Sequence, residues 1–227
     1  MLVAIHQPHY LPWLRYVEKI ARADAFIVLD NIQFNKNGWQ NRNRIKQGGQ
    51  ATLLTVPIHA AFPARLDAVR IDTHRPWARK HVQTLQQAYA RAPYFDSHCG
   101  FIAPLLTQSW EFLNDLNAAL LKGFLEVLGI QTPIYHASAL NVPGEATTRL
   151  INLIQAVGGN AYYSGAYALE SYLDANELLG ADIDLVLQSW TAPVYPQGSG
   201  EFLPDLSIVD MLAHCGPDTL ARILGEP

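Results

Sequence analysis

The chain has 227 residues, of which 49% are hydrophobic and 16% are charged, and its formal net charge is -4 at pH 7. A chain of this length and apolar content can bury the core of one large domain. Because acidic residues outnumber basic ones, the overall charge gives no reason for binding nucleic acid or an anionic membrane, so an anion site would have to be local. No segment approaches the roughly 20 apolar residues of a membrane span, and the start of the chain lacks a signal pattern. We therefore expect a cytoplasmic protein without membrane insertion.

The first thirty residues predict a strand, a helix and a second strand. Residues 2–7 are a short apolar run stopped by Pro8, and residues 25–30 are another. Between these runs, apolar residues recur at helical spacing after Pro12. This is the spacing of a right-handed βαβ unit, which predicts two parallel strands.

The middle of the chain predicts a hairpin and then a helical region. Residues 39–58 read as two extended segments around Gly48 and Gly49, which predicts a β-hairpin arm or an edge extension of the sheet. Over about 75–128 the pattern is helical. We interpret this region as a helical layer or insertion.

After residue 130 the chain alternates between strands and helices. Strands are predicted over 133–140, 161–165 and 183–190, and helices over 145–159 and 168–180. A loop rich in proline and glycine and a closing pair of helices follow. Regular alternation predicts a mostly parallel α/β sheet with helices on both faces. The predicted fold is a Rossmann-like sheet with a β-hairpin arm and a helical insertion, in a single domain over 1–227.

Polar residues at the predicted strand ends are candidates for a functional site, because open α/β sheets bind ligands beyond the carboxyl ends of their strands. These residues are His6, Gln7, Asp30, Thr55, 136–138, Ser164, Gly165 and Gln188. Asp30 either stays ionised and takes part in chemistry or forms an Asx turn or helix cap. His136 is either a general base or a satisfied loop histidine. We assign His6 and Asp30 as the candidate catalytic residues.

Residues 30–46 form a locally basic stretch in an acidic chain. Arg42 and Lys36 are candidates for holding a phosphate or carboxylate, since arginine suits bidentate anion recognition. Arg44 and Lys46 are equally well explained as ordinary surface charges on a hairpin.

The same stretch carries carboxamides beside a tryptophan. Alternate side chains of an extended segment share a face, so Trp39, Asn41 and Asn43 would point away from Arg42. Trp39 would turn toward the core and draw both asparagines toward burial. A buried carboxamide needs partners, so Asn41 and Asn43 either cap loops or line a polar cavity.

Aromatic and histidine side chains complete the set of candidates. Sugar rings pack on aromatic planes, which makes Tyr10 and Trp39 possible walls of a sugar site. His6 and His9 have a His-x-x-His spacing, but no third ligand follows, so no metal site is predicted and the cofactor is left open. The candidate substrate-binding residues are Gln7, Tyr10, Gln33, Lys36, Trp39, Asn41, Arg42, Asn43, His81 and Ser164.

Two long segments, HQPHYLPWLRYVEKIARAD and LDNIQFNKNGWQNRNRIK, resemble the WbqC-like family. The resemblance continues through WARKHVQTLQQAYARAPYF, RLINLIQAVGGNAYYSG and YPQGSGEFLPDLSIVDML and covers most of the chain. One departure is Arg15, where such proteins usually have glycine. The resemblance implies a bacterial protein of surface polysaccharide (O-antigen-type) biosynthesis, with transfer of an amino acid such as glycine onto a sugar as its activity.

The order of the first elements is also similar to the start of nucleotidylyl transferases such as pantothenate synthetase. Those enzymes hold ATP phosphates with a His-x-Gly-His loop, whereas His6 and His9 lack the glycine and its spacing. This likeness is an analogy of fold only.

Three functions remain open from the sequence. The leading interpretation is a transferase for a small-molecule substrate, either a nucleotide-linked sugar or an activated acyl donor, with Gln7 and Asn41 orienting the acceptor. One alternative is a non-catalytic accessory protein of a polysaccharide pathway that docks a partner. The other is RNA contact through residues 36–46, which would serve an aminoacyl-tRNA donor.

Overall fold

Strands and helices follow one another along the chain largely as the sequence predicts. The computed structural model describes residues 1–165, 167–171 and 173–225. The strands are β1 (Leu2–His6), β2 (Ala25–Val28), β3 (Arg42–Gln47), β4 (Gln50–Thr55), β5 (Ile58–His59), β6 (Arg70–Ile71), β7 (Ile134–His136), β8 (Ala161–Ser164) and β9 (Asp184–Leu187).

The helices lie between and after these strands. They are α1 (Leu14–Arg22), α2 (Trp77–Tyr89), α3 (Phe95–Cys99), α4 (Ile102–Leu106), α5 (Leu113–Leu128), α6 (Ala137–Leu140), α7 (Ala146–Ala156), α8 (Tyr167–Ser171), α9 (Ala175–Gly180), α10 (Ile208–Cys215) and α11 (Thr219–Leu224). Short 3-10 turns span Leu66–Ala68 and Gly216–Asp218. In the described part of the chain, no helix combines the length and the apolar character needed to cross a membrane.

Tertiary contacts divide the chain into two units, and each is described by itself. Unit 1 comprises Met1–Gln7, Glu18–Asn31 and Gln131–Thr191, and unit 2 comprises Pro8–Val17, Ile32–Ile130 and Ala192–Pro227. Unit 1 contains the parallel sheet, and unit 2 contains the antiparallel hairpins and the helices α2 to α5, α10 and α11. The single domain that the sequence suggests stays a prediction.

The sheet of unit 1 confirms the predicted α/β, mostly parallel, Rossmann-like fold class. Among the described residues, five strands form it in the order β7-β2-β1-β8-β9, and each neighbouring pair is parallel. The first strand is central: β2 and β7 lie on one side of it, and β8 and β9 lie on the other. The direction of winding therefore reverses between β1 and β8, which is the switch point where doubly wound sheets bind ligands.

Helices cover both faces of this sheet. On one face Val3 and Ile5 of β1 and Ile27 of β2 pack against apolar residues of the later helices. The buried helix residues of this core are Leu150, Ile151, Leu153, Ile154 and Leu178. Each such side chain contributes about 1.5–3 kcal/mol by leaving water. On the other face, Tyr163 of β8 hydrogen-bonds Glu18 of α1.

The hairpin of unit 2 forms around the two glycines that predicted it. Strands β3 and β4 pair in antiparallel register from Arg42↔Thr55 to Gln47↔Gln50. Gly48 and Gly49 have φ of 58° and 79°, which a tight two-residue hairpin turn requires and glycine adopts without strain.

Two predicted elements differ in the structure. The predicted strand over 133–140 ends at His136, and α6 follows, because the carboxylate of Asp30 accepts hydrogen bonds from Ser138 and caps the new helix. The predicted helix over 168–180 is divided into α8 and α9, and residue 172 lies outside the described residues. Asp174 begins α9 by accepting a hydrogen bond from the Asn176 backbone N–H, which explains the interruption.

Candidate functional site

Asp30 lies just beyond the carboxyl end of β2 and binds His136, which ends the neighbouring strand β7, and Ser138, which follows that strand. Its Oδ2 is 3.2 Å from Nδ1 of His136. The Ser138 hydroxyl donates to Oδ2 at 2.6 Å, and the Ser138 backbone N–H donates to Oδ1 at 2.9 Å. Because β2 and β7 are parallel and pair Val28 with His136, their carboxyl ends meet at one edge of the sheet. Asp30 therefore caps a helix and hydrogen-bonds a histidine, and its part in chemistry stays a prediction.

The contacts of Asp30 decide the protonation state of its carboxyl group. Burial alone would raise the pKa of Asp30, but hydrogen bonds from His136 and Ser138 outweigh it and leave the pKa below its usual value. Asp30 is therefore ionised at neutral pH and accepts the proton on Nδ1 of His136. In the neutral form of the His136 ring, Nε2 carries the lone pair. The His136 side chain is 40% exposed, so this nitrogen belongs to a ring that solvent reaches.

The guanidinium group of Arg149 contacts Asn31, the residue that follows Asp30. Arg149 of α7 donates from Nη2 to Oδ1 of Asn31 at 2.5 Å, and Asn31 directly follows Asp30 in the chain. This contact holds the Arg149 guanidinium at Asn31, next in the chain to Asp30. Nothing in the local sequence around Arg149 predicts its role, because the contact depends on how α7 packs.

His6 ends the central strand and differs from His136 in its chemistry. Its Nδ1 is 3.0 Å from the carbonyl oxygen of Gln7. A carbonyl can only accept, so Nδ1 carries the proton and Nε2 is an acceptor. Burial and, to a smaller extent, the positive charge of Lys19 lower the pKa of His6 to about 3, against the hydrogen bond to Gln7 that raises it. His6 is thus neutral at pH 7 and a weak base, better suited to accepting a hydrogen bond than to holding a proton.

The pH dependence of stability tests the state of His6. The pKa of His6 is about 3 in the folded chain and 6.5 in the unfolded reference, so between these values the unfolded chain binds more protons. The free energy of unfolding should fall as pH falls from 6.5, by about 1–2 kcal/mol at pH 5 from His6 alone. Urea unfolding of the wild type and His6→Asn should show a weaker fall in the variant. Parallel curves for the two proteins would contradict this assignment.

A polar cluster on α1 faces the ends of β8 and β9. Glu18 is only 1% exposed, and its carboxylate accepts three hydrogen bonds. The donors are Nε of Arg22 at 2.7 Å, the hydroxyl of Tyr163 at 2.8 Å and Nε2 of Gln188 at 2.6 Å. These bonds fix α1 to β8 and to the residue that follows β9. Ser164 is buried beside them, and its hydroxyl donates to the Gly165 carbonyl at 3.3 Å.

In unit 2 the predicted carboxamides bind loop backbone. Asn41 donates from Nδ2 to the Val56 carbonyl at 2.9 Å, and Asn43 donates to the Leu11 carbonyl at 2.6 Å. Oδ1 of Asn43 accepts from the indole N–H of Trp13 at 2.8 Å. These contacts favour the loop-capping role over a cavity-lining role.

Three of the four cations of the basic stretch lie over two aromatic rings, and Lys46 donates to the Glu201 carbonyl. The guanidinium groups of Arg42 and Arg44 lie 5.8 and 5.7 Å from the centre of the Trp39 ring. The ammonium of Lys36 lies 5.4 Å from the centre of the Phe62 ring. Both Arg42 and Arg44 therefore make cation–π contacts with one tryptophan, whereas the sequence paired Arg42 with Lys36.

The other candidates of unit 2 also have structural partners. The hydroxyl of fully buried Tyr10 is 2.8 Å from Nδ1 of His81. Burial lowers the pKa of His81 to about 4, against a hydrogen bond to the Thr55 backbone that raises it. Gln33 forms an isolated antiparallel bridge with Arg65. His81 is thus a neutral, buried side chain of α2 with Tyr10 as its partner.

The structure therefore distributes the predicted site residues between the units. Unit 1 holds His6, Gln7, Asp30 and Ser164, and unit 2 holds Tyr10, Gln33, Lys36, Trp39, Asn41, Arg42, Asn43 and His81.

The sequence analysis did not select Glu18 and Lys19 as site residues, although the sequence contains one indication that Glu18 is buried. Glu18 continues the i, i+3, i+4 spacing of Leu14 and Val17, so it belongs to the buried stripe of α1.

Comparisons with known proteins found one matching family model and one relative. A family model described as the WbqC-like protein family matches residues 7–222. An uncharacterized protein of Mycobacterium tuberculosis is 33% identical over 220 residues, which are 95% of this chain and 94% of that protein. No solved structure matches significantly.

Proposed function

Because the chain belongs to the WbqC-like protein family, we propose that it is a cytoplasmic transferase that moves an acyl group, such as an amino acid, onto a sugar. The sugar would be a nucleotide-linked precursor of bacterial surface polysaccharide. The glycyl group is the simplest acyl group that fits the family resemblance. The resemblance supplies this context. The residues of unit 1 supply the chemistry.

The Asp30–His136 pair is the observation that carries the proposal. Nε2 of His136 takes the proton from the acceptor hydroxyl or amine while that oxygen or nitrogen forms a bond to the acyl carbon. The carboxylate of Asp30 stabilises the imidazolium ion through Nδ1. His136 then returns the proton to the leaving group as the bond from the acyl carbon to that group breaks. The histidine ends neutral, so the cycle balances.

This proposal changes two of the roles suggested by the sequence. Asp30 is ionised at neutral pH and is a positioning residue, and His6 accepts a hydrogen bond from the substrate. The proton is carried by His136, which the sequence left as an alternative. Within unit 1, Gln7 and Ser164 keep proposed substrate-binding roles. For unit 2, taken by itself, the substrate-binding roles stay predictions: Tyr10, Gln33, Lys36, Trp39, Asn41, Arg42, Asn43 and His81.

A ligand screen followed by a transfer assay tests the function. Thermal unfolding would be measured with a panel of nucleotides, nucleotide-linked sugars and amino acids. A ligand at 100 times its Kd stabilises the folded chain by about 2.7 kcal/mol. We expect a nucleotide-linked sugar to raise Tm, and mass spectrometry to detect its glycyl adduct when glycine and ATP, or glycyl-tRNA, are supplied. An unchanged Tm with every nucleotide-linked sugar, together with the absence of a glycyl adduct, would contradict the proposal.

A second candidate function is a non-catalytic accessory protein that binds a partner. Exposed apolar side chains of unit 1 favour it: Tyr167 is 74% exposed and Leu179 is 72% exposed. This candidate predicts no turnover and retention of a partner enzyme on the immobilised chain. Loss of that retention in Leu179→Ser would identify the surface.

A further inference from the structure

Unit 2 contains a surface cavity of about 390 Å³ between the start of α2 and the segment that follows α4. Residues 73 and 75–79 form one wall, and residues 107–110 form the other. Ligand pockets enclose about 300–1,000 Å³, so this volume suits a small molecule. The sequence analysis selected none of these residues as a candidate.

The cavity is positively charged. Arg75 and Arg79 line it, and none of its described lining residues is acidic. Nε of Arg75 lies 3.1 Å from Oδ2 of Asp72, so that carboxylate offsets one of the two charges. The Arg79 guanidinium forms no ion pair with any residue in the described part of the chain. A chain with a net charge of -4 therefore has a local site that favours an anion.

Two tryptophans supply most of the apolar surface of the cavity, and contacts inside unit 2 hold both rings. Trp77 is 8% exposed and meets the ring of His81 edge-on, with 5.4 Å between ring centres. Trp110 donates its indole N–H to the Leu105 carbonyl at 2.7 Å. Rings held in this way can pack against a sugar or a base with little loss of side-chain freedom.

Exposed polar side chains stand between the cations and the rings. Gln108 and Ser109 line the cavity and provide an amide and a hydroxyl group. Both groups can donate and accept hydrogen bonds, which suits the hydroxyls of a sugar. The cavity thus combines anion binding, ring packing and hydroxyl recognition in one place.

We infer that this cavity, here called the α2 cavity, binds a phosphorylated small molecule that carries a ring, such as a nucleotide or a sugar phosphate. The guanidinium groups of Arg75 and Arg79 hold the phosphate oxygens, since planar guanidinium matches phosphate geometry. The ring of the ligand packs against Trp77 and Trp110. The inference goes beyond the proposed transfer, because it concerns unit 2 alone.

A titration followed by NMR tests the charge of the α2 cavity. The ¹⁵N-tryptophan-labelled chain would be titrated with uridine diphosphate, and the indole signal of Trp110 would be identified by its absence from Trp110→Phe. We expect this signal to shift saturably, and Arg79→Gln to weaken the binding about tenfold or more. The matched control is Arg91→Gln, which removes an exposed arginine of unit 2 outside the cavity. Equal affinity of Arg79→Gln and the wild type would overturn the inference.

Filling the cavity tests its shape without changing its charge. Ser109→Phe adds a ring at the cavity wall and keeps both arginines. Ser109 is exposed, so the variant should keep the Tm of the wild type. Binding of uridine diphosphate, measured by calorimetry, should weaken about tenfold or more. Undiminished binding would mean that the arginines attract anions without a cavity, which would refute the site.

Three probes distinguish the sources of the phosphate group. Uridine diphosphate or glucose 1-phosphate should bind about tenfold or more tightly than inorganic phosphate, because ring packing adds to binding. The tighter of the two identifies a nucleotide or a sugar phosphate. Inorganic phosphate that binds as tightly as both would contradict the ring-binding role. Single-stranded RNA or a phosphopeptide that binds more tightly than both, through Arg79, would overturn the assignment to a small molecule.

The α2 cavity and the proposed function can fail separately. Asp30 and His136 belong to unit 1, and the cavity belongs to unit 2. Weaker binding of uridine diphosphate to Arg79→Gln together with full turnover in His136→Gln would support the cavity and reject the proposed function. Unchanged binding to Arg79→Gln together with a loss of turnover in His136→Gln would do the reverse.

Discussion

Replacing His136 by glutamine is expected to lower the turnover number of the transfer reaction by about 10²- to 10⁴-fold, the usual contribution of a positioned acid–base group. Glutamine fits a similar volume and can hydrogen-bond Asp30, but it cannot take up and return a proton. KM for the sugar should change little, because the substitution removes proton transfer and keeps a hydrogen bond to Asp30. The measurement is the initial rate of adduct formation with the sugar found by the thermal screen.

Asp30→Asn is expected to act through His136. The amide removes the negative charge that stabilises the imidazolium ion, so turnover should fall while KM stays close to that of the wild type. Initial rates over a range of sugar concentrations would separate kcat from KM in the variant.

Ser138→Ala is the control for this pair. It removes one hydrogen bond to Asp30 but leaves the 3.2 Å contact between Asp30 and His136, so turnover should change by less than about tenfold. If His136→Gln and Asp30→Asn both retain wild-type turnover, the pair is a structural cap and the proton is carried by another group.

Glu18→Ala is expected to lower the free energy of unfolding by about 3–5 kcal/mol, the cost of breaking a buried network by removing one partner. Alanine leaves the Tyr163 hydroxyl and the Gln188 amide without their acceptor inside the protein. Arg22 is half exposed, so water can solvate its guanidinium after the change. Guanidinium chloride unfolding of both proteins would measure the difference.

The chain offers a matched control for Glu18. Lys122 and Glu126 of α5 form another i,i+4 pair, at 3.7 Å, but Glu126 is 67% exposed. Glu126→Ala should cost no more than about 0.5 kcal/mol, since solvent screens exposed pairs. A loss below about 1 kcal/mol for Glu18→Ala, similar to that of Glu126→Ala, would mean that the Glu18 network does not stabilise α1 against the sheet.

Local sequence patterns predicted most elements because their causes act within a few residues. The two apolar runs around α1 became adjacent parallel strands. Gly48 and Gly49 supplied the positive φ of the hairpin, and Gly129 ended α5 with φ of 69°. The rule that ligands bind at the carboxyl ends of parallel strands also selected His6 and Asp30.

The missed features depend on contacts between residues that are distant in the chain. The strand predicted over 133–140 gave way to α6 because Asp30, 108 residues away from Ser138, caps that helix. Glu18 and Gln188 are separated by 170 residues, and only the packing of α1 on the sheet brings them together. Secondary-structure propensity and the periodicity of apolar residues contain no information on contacts between such distant residues.

By itself the sequence determined the family, the Rossmann-like α/β class and the strand ends from which a site can be built. Those properties follow from backbone geometry, apolar periodicity and long local motifs. Only the tertiary structure decided which histidine has a carboxylate partner and which is neutral beside a lysine. A pKa depends on the burial and charge within a few ångströms of the group, and in a parallel sheet those neighbours come from strands far apart in the chain.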